Sequence, residues 1–309
     1  MYAARERISG MAVRTPLVRL GTDGGAAAPA IYLKLENLQP IGSFKLRGAA
    51  NALRAQDPRD LARGVYTASA GNMAQGVAWA ARDLGVAATA IVPETAPSTK
   101  LAAIERLGAR IVQVPFERWW QVLVERRFPG IDGLFVHPCA DRAVMAGNGT
   151  IALEVLEDLP QVATVLVPWG GGGLACGIAA ALAALRREAR VLACEVETAA
   201  PLAASLAAGR PTAIDHRPSF VDGIGGKGVM AEMWPLAQRL IAGSRVVSVA
   251  AAASAVRLLV ERNRVVAEGA GAVPVAAALA ARDLEGPVVA IVSGGNLDSD
   301  ELAAILGLA

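Results

Sequence analysis

Lys45 closes the run Lys34-Leu35-Glu36-Asn37-Leu38-Gln39-Pro40-Ile41-Gly42-Ser43-Phe44-Lys45 and opens Leu46-Arg47-Gly48-Ala49, which places a lysine in the first turn of a helix after a Pro/Gly turn. A cation there opposes the helix dipole, so the free amine, a nucleophile and a base, is favoured over the ammonium. Four consecutive glycines, Gly170, Gly171, Gly172 and Gly173, separate the apolar run Val165-Leu166-Val167-Pro168-Trp169 from an Ala-rich helical run that begins at Leu174. Without β-carbons, backbone N–H groups can crowd around one anion at a helix start, where the dipole also favours negative charge. That pattern describes a phosphate cradle. Two further loops of small and polar residues, Thr67-Ala68-Ser69-Ala70-Gly71-Asn72-Met73-Ala74-Gln75-Gly76 and Val292-Ser293-Gly294-Gly295-Asn296, each follow a strand-like run. All three loops should project from the carboxyl edge of a sheet, where ligands of open α/β folds bind, and converge on one crevice.

The elements that must position these residues alternate along the chain. Short, almost wholly apolar runs predict strands at Ile31 to Glu36, Gly64 to Ser69, Ala87 to Pro93, Arg110 to Pro115, Val165 to Pro168, Val191 to Val196, Val246 to Val249 and Val288 to Val292. Their continuous hydrophobicity suits a parallel sheet covered on both faces. Helices are predicted at Ser43 to Arg54, Asn72 to Leu84, Ser98 to Leu107, Ala143 to Asp158, Leu174 to Arg187, Ala251 to Asn263 and Gly271 to Leu284, with Ser98 as an N-cap and Gly85 and Gly108 as helix stops. Three strands threaded by two helices between Gly64 and Pro115 suffice for an inserted subdomain. The expected division is a large domain of residues 1–66 and 141–309 and a smaller inserted α/β domain of residues 67–140.

Composition narrows the function classes. The chain has 309 residues, 54% of them hydrophobic, which is ample for a sizeable core. Its 30 basic and 28 acidic residues are scattered, unlike the one-sided basic footprint of a nucleic-acid binder. The uncharged stretch Gln161 to Leu185 is interrupted at its centre by Pro168 and the four glycines, so a buried strand, loop and helix is expected there rather than a membrane span. Residues 1–10 already carry Arg5, Glu6 and Arg7 with no apolar run behind them, so no secretion signal is expected. Cys139, Cys176 and Cys194 form no C-x-x-C pair and have only His137 and His216 for company, which suggests neither a disulfide framework nor zinc. A reducing cytoplasm fits, and the two histidines read as structural or surface groups.

Lys45, the Ser69 to Met73 loop, the four glycines and Ser293, in this order, resemble the fold-type II pyridoxal-phosphate enzymes, and within them the threonine and serine dehydratase branch related to serine racemase. The likeness runs from about Arg14-Thr15-Pro16-Leu17 to Asn296. It implies a tryptophan synthase β-like architecture of two open, twisted parallel-sheet α/β domains with the active site in the crevice between them. It also implies that Lys45 holds pyridoxal 5'-phosphate as a Schiff base, with Phe44 beside the cofactor ring and Asn72 at its phenolic oxygen. Gly170 to Gly173 with Leu174 would hold the phosphate, Gly223 of Asp222-Gly223-Ile224-Gly225-Gly226-Lys227-Gly228 would lie next to the ring, and Ser293 would meet the pyridine nitrogen. Ser69, Ala70, Gly71, Asn72 and Met73 would grip the substrate carboxylate, and backbone N–H groups at a helix start suit that task. The implied reaction removes water and ammonia from a 2-amino-3-hydroxy acid such as threonine or serine, with Lys45 as both anchor and Cα base. A homodimer is the family's expectation.

Finer features select the branch. Leu46 follows the lysine where related sulfhydrylases and synthases tend to have Asp, and Ala70 stands where serine racemases carry a serine as the base for the opposite face. Met73 replaces the family's usual histidine, and Trp169 a smaller residue. Val196-Glu197 matches half of the racemases' divalent-cation site, but Ala203 occupies the second acidic position, so no metal is expected. Glu268, in Val266-Ala267-Glu268-Gly269-Ala270-Gly271-Ala272, matches a segment close to the cofactor and equally fits a helix-start carboxylate. The chain ends at Ala309, so feedback control through a C-terminal regulatory domain is not expected. The competing readings are an amino-acid racemase or another hydroxyamino-acid lyase of the same fold, a nicotinamide-dependent Rossmann oxidoreductase and a non-catalytic amino-acid binder. The Rossmann reading draws on Gly170-x-Gly172-x-x-Ala175, with Glu195 placed as the ribose-binding acid.

Overall fold

A computed structural model describes residues 1–21, 29–186 and 188–308. Arg187, the expected last residue of one helix, lies outside the described residues. The strands in chain order are β1 Leu17–Arg19, β2 Ile31–Leu35, β3 Val65–Ala68, β4 Ala88–Pro93, β5 Arg110–Val114, β6 Leu134–Phe135, β7 Thr164–Pro168, β8 Arg190–Val196, β9 Gly243–Val247 and β10 Val288–Val292. They form two sheets, ordered β1-β2-β10-β7-β8-β9 and β5-β4-β3-β6. All pairings are parallel except that of β1 with β2, where Leu17 faces Lys34. The two strands that the sequence reading lacks, β1 and β6, are sheet-edge segments of three and two residues, too short to carry a hydrophobic period.

The chain divides into a first unit, Met1–Val13 with Gln39–Thr150, and a second unit, Arg14–Leu38 with Ile151–Ala309. These bounds differ from the expected 67–140 insertion. The physical reason is the helix Lys45–Arg54, which packs within the first unit against the helices Asn72–Asp83 and Arg142–Asn148. Glycines let the backbones touch: a β-carbon at Gly147 would lie 2.2 Å from the Arg47 carbonyl oxygen, one at Gly48 2.8 Å from Asn148 Oδ1, and one at Gly76 3.1 Å from the Lys45 carbonyl oxygen. That packing ties the lysine helix to the smaller sheet rather than to the neighbouring strand β2.

In the first unit, helices around the β5-β4-β3-β6 sheet bury Leu46, Ala49, Leu53, Met73, Val77 and Ala81. Gly85 and Gly108, at φ +66° and +88°, follow the helices Asn72–Asp83 and Ser98–Arg106 as left-handed stops. Pro97, not Ser98, stands at the N-cap of the latter. The single helix expected over Ala143 to Asp158 is instead two, Arg142–Asn148 and Thr150–Asp158, interrupted at Gly149, with the Thr150 hydroxyl donating to the Gly147 carbonyl at 2.6 Å. Arg47 is buried, and its guanidinium donates to Thr150 Oγ1 at 3.2 Å and to the Val13 carbonyl at 3.1 Å.

In the second unit, the last strand of the chain, β10, sits between β2 and β7 near the middle of the sheet. The helix Gly269–Ala280 covers it with Val273, Val275 and Ala276, all buried. Ser248 caps the helix Val249–Leu258 by accepting from Ala251 N at 3.1 Å, which is why β9 ends at Val247 rather than at Val249. Lys34 and Glu154 form an ion pair at 2.5 Å, both buried, and the Lys34 ammonium also donates to the Thr15 carbonyl at 2.6 Å.

Candidate active site

Within the first unit, Lys45 is the first residue of its helix and Phe44 the residue at its N-cap. The Lys45 backbone N–H reaches Ser43 Oγ at 3.4 Å, a long contact, whereas Nζ donates to the Pro138 carbonyl at 2.7 Å. The same Nζ lies 5.2 Å from the centroid of the Phe44 ring, in range of a cation–π contact. Asn72 opens the helix Asn72–Asp83 with Gly71 at its N-cap. The Gly71 N–H donates to Ser69 Oγ at 3.2 Å, and the Ser69 N–H donates to the Ile91 carbonyl at 3.0 Å, so the loop hangs from the carboxyl end of β3. Gly76, one turn on, rests against the Lys45 backbone, which brings the lysine and the Ser69 to Met73 loop together. Met73 departs from its neighbours: Ser69, Ala70, Gly71 and Asn72 are half-buried, while its thioether is packed into the first unit's core. Met73 is therefore held by apolar packing.

A short segment after β6, residues 137–140, completes this part. His137 Nδ1 accepts from Cys139 N at 3.2 Å and from Ala140 N at 2.8 Å. A nitrogen that accepts twice carries no proton, so the neutral ring holds its proton on Nε2. Burial, then the positive charges of Arg126 and Lys45, push the His137 pKa from 6.5 down to about 4. Arg126, a non-glycine residue at φ +55° that ends the helix Phe116–Glu125, donates to the Ala140 carbonyl at 2.9 Å. Sequence reasoning missed Pro138 and set His137 aside. The signal was the dipeptide His137-Pro138 behind an apolar pair too short to read as a strand.

Within the second unit, parallel register places the ends of β2, β10 and β7 side by side, with Val292 opposite Leu35 and Ala290 opposite Leu166. Ser293 and Gly170 thus leave the same sheet edge from neighbouring strands, as expected of ligand loops. Gly172 adopts φ +85° and serves as N-cap of the helix Gly173–Leu185. A β-carbon there would lie 2.7 Å from the ring of Trp169, which is buried against the loop. Gly170 neighbours the Gly223 carbonyl oxygen, 3.3 Å from a β-carbon placed on Gly170. Gly223 in turn neighbours the Glu268 carboxylate, 3.6 Å by the same measure, and Gly294 abuts that carboxylate at 2.5 Å. Gly170, Gly223, Glu268 and the Ser293-Gly294 turn therefore form one contiguous set. Glu268 stands at the N-cap of the helix Gly269–Ala280 without a side-chain cap bond, so its carboxylate lies among the loops instead of serving the helix start.

Glu195 is not positioned as a ribose-binding acid. Its buried carboxylate accepts from Leu202 N at 2.7 Å, Ala203 N at 2.8 Å and Ser244 Oγ at 2.6 Å, inside the second unit. Burial raises its pKa, while those three hydrogen bonds act in the opposite direction. Glu197 accepts from Val249 N at 2.9 Å, at the start of a helix, and no group of three or more metal-ligating side chains forms among the described residues.

The family model described as pyridoxal-phosphate dependent enzyme matches residues 8–294. The L-threonine ammonia-lyase of Thermotoga maritima is 39% identical over 307 residues, covering 98% of this chain and 76% of that protein. Maize serine racemase has a similar structure, with TM-score 0.91 and 31% identity over 98% of this chain and 94% of that one. The processed form of threonine deaminase isoform 2 from Solanum lycopersicum gives TM-score 0.88 and 30% identity over 98% of this chain and 85% of that one. A match that runs through both units, with the lysine, the glycine loop and the serine turn each at a strand end or helix start, makes this chain a member of the pyridoxal-phosphate dependent enzymes, of fold type II and the threonine/serine dehydratase branch.

Proposed function

We propose that this protein is an ammonia-lyase that converts a 2-amino-3-hydroxy acid, with L-threonine foremost and L-serine next, to a 2-oxo acid and ammonia. The observation that carries this reading is the near full-length likeness to an L-threonine ammonia-lyase in a chain that keeps Lys45 at the head of its helix. When bound, pyridoxal phosphate would supply an aldehyde for the substrate's amino group and an electron-withdrawing ring for Cα. The residues present suit it. The glycine loop has no β-carbon to obstruct a phosphate, it leads into the start of a 13-residue helix, where N–H groups have no intrahelical acceptor, and Trp169 Nε1, buried against the loop, has no hydrogen-bond partner among the described residues. An orphaned buried donor is what a bound anion satisfies.

In this reading Lys45 Nζ would hold the cofactor and would serve as the base for the substrate's Cα proton. Phe44 would flank the ring, Asn72 would meet the phenolic oxygen, and Gly170, Gly171, Gly172, Gly173 and Leu174 would take the phosphate. Gly223 would border the ring and the Ser293 hydroxyl would meet the pyridine nitrogen, while Ser69, Ala70, Gly71, Asn72 and Met73 would hold the substrate carboxylate through the loop. A hydroxyl partner gives no strong reason to protonate that nitrogen, and elimination needs the electron sink less than transamination does. The β-hydroxyl would depart as water with the proton taken from Cα, and the released enamine would take up water to give the 2-oxo acid and ammonia.

The likeness to maize serine racemase favours racemisation as a second reading, but Ala70 offers no hydroxyl to deliver a proton from the opposite face. A cytoplasmic homodimer, as in the family's expectation, completes the proposal. Among the described residues no helix is long and apolar enough to cross a membrane. Light scattering reads the dimer. Lys45→Ala should abolish both the cofactor's Schiff-base absorbance and 2-oxo acid release from L-threonine and L-serine. A variant that kept its turnover would sink the assignment, and chiral analysis of residual serine separates elimination from racemisation.

A further inference from the structure

Lys45 Nζ is not positioned by its own helix alone. It donates to the carbonyl of Pro138, 93 residues away in sequence, at 2.7 Å. That carbonyl belongs to a turn with no helix or strand ladder of its own, so something else must fix the direction in which it points. The fixing group is His137. One unprotonated nitrogen, Nδ1, gathers Cys139 N and Ala140 N, the two N–H groups that follow Pro138. The segment is also held on its far side, where Arg126 donates to the Ala140 carbonyl, and at its entry, where Thr67 Oγ1 donates to the Val136 carbonyl at 2.8 Å. The His137 ring itself meets Phe135 edge-on with centroids 6.0 Å apart.

We infer that His137 is a positioning residue for Lys45: its unprotonated Nδ1 folds residues 137–140 so that the Pro138 carbonyl receives the lysine amine and fixes where that amine sits. The inference rests on the proposed role of Lys45 and adds to it a residue that touches neither cofactor nor substrate. A fixed acceptor on the amine restricts its rotational freedom, which is how a base is kept within reach of a proton.

The arrangement needs a neutral ring. Protonation would turn Nδ1 from acceptor to donor and set it against two N–H groups, beside the cationic Lys45 and Arg126 and the Cys139 thiol 3.8 Å away. Because the folded pKa lies below the ordinary value of 6.5, at about 4, the contribution of His137 is complete above pH 6.5 and is lost as pH falls toward 4.

The test uses the cofactor-loaded protein with His137→Ala and His137→Asn. Asparagine keeps an acceptor at the δ position but does not titrate. In His137→Ala, kcat for threonine elimination should fall roughly 10²-fold, with KM little changed, and cofactor attachment followed by absorbance should slow in parallel. His137→Asn should restore most of both, and its attachment rate should persist to a lower pH than that of the wild type. Borohydride reduction and peptide mapping show which lysine is labelled. A label on another lysine defeats the Lys45 reading itself. With the label on Lys45, a His137→Ala protein that matches the wild type defeats only the His137 inference, as does a His137→Asn protein as impaired as His137→Ala. Should His137→Ala fail to fold, the acid limbs of wild type and His137→Asn decide, and coincident limbs overturn the inference.

Discussion

Individual side chains here are held by partners distant in sequence, and this governs what replacing them does. Lys34 and Glu154, 120 residues apart, are both buried, and a charge left behind in such a place is expensive. Glu154→Ala should destabilise the second unit by about 3–5 kcal/mol, read as a lowered urea midpoint. The double replacement Lys34→Met with Glu154→Leu should recover much of that loss, because it leaves no uncompensated charge. The places of the residues proposed for chemistry were legible from the sequence: Lys45 and Gly170 to Gly173 sit at helix starts as their neighbours predict, and Ser293 sits at a strand end. Residues that act through tertiary contacts were not. Nothing local to His137 tells that its ring folds a turn for a lysine 92 positions earlier, and nothing local to Glu195 tells that its carboxylate is consumed by Leu202, Ala203 and Ser244.

Among elements, the contacts that decide the architecture are made where side chains are missing. Gly172 is constrained twice, by φ +85° and by the Trp169 ring 2.7 Å from where its β-carbon would lie. Gly172→Ala should therefore cost about 1–3 kcal/mol in loop strain and weaken cofactor binding about tenfold or more, measured by titrating the apoprotein. Adding Trp169→Val should return part of the affinity, since it relieves the ring clash but not the backbone conformation. The long apolar strands were legible because burial on both faces makes them continuous in sequence. Boundaries failed where a side chain intervenes, as Ser248 does in ending β9, or where a glycine contact reassigns a helix, as Gly147 does by admitting the Arg47 carbonyl. Hydrophobic period reports which face of a helix is buried, not which neighbour buries it.

The molecule as a whole is assembled from unequal pieces of chain. The first unit's sheet is drawn from one continuous stretch, β3 to β6, within residues 65–135. The second unit's sheet draws β1 and β2 from residues 17–35 and closes them only against β10, at 288–292. A ribosome therefore delivers everything the smaller sheet needs while β2 still lacks its parallel partner. Loop closure across some 250 residues costs more and comes later than closure within a short stretch. Pulse-labelled hydrogen exchange during refolding should protect the amides of β3 and β4 before those of β2 and β7, and simultaneous protection would contradict this order. Until β10 docks, β2 presents an open apolar edge and the turn bearing Ser293 has no place to stand. The proposed cofactor can then bind productively only to a chain whose second sheet is complete, so capture of the cofactor becomes a late checkpoint on synthesis, passed by finished molecules and failed by truncated ones.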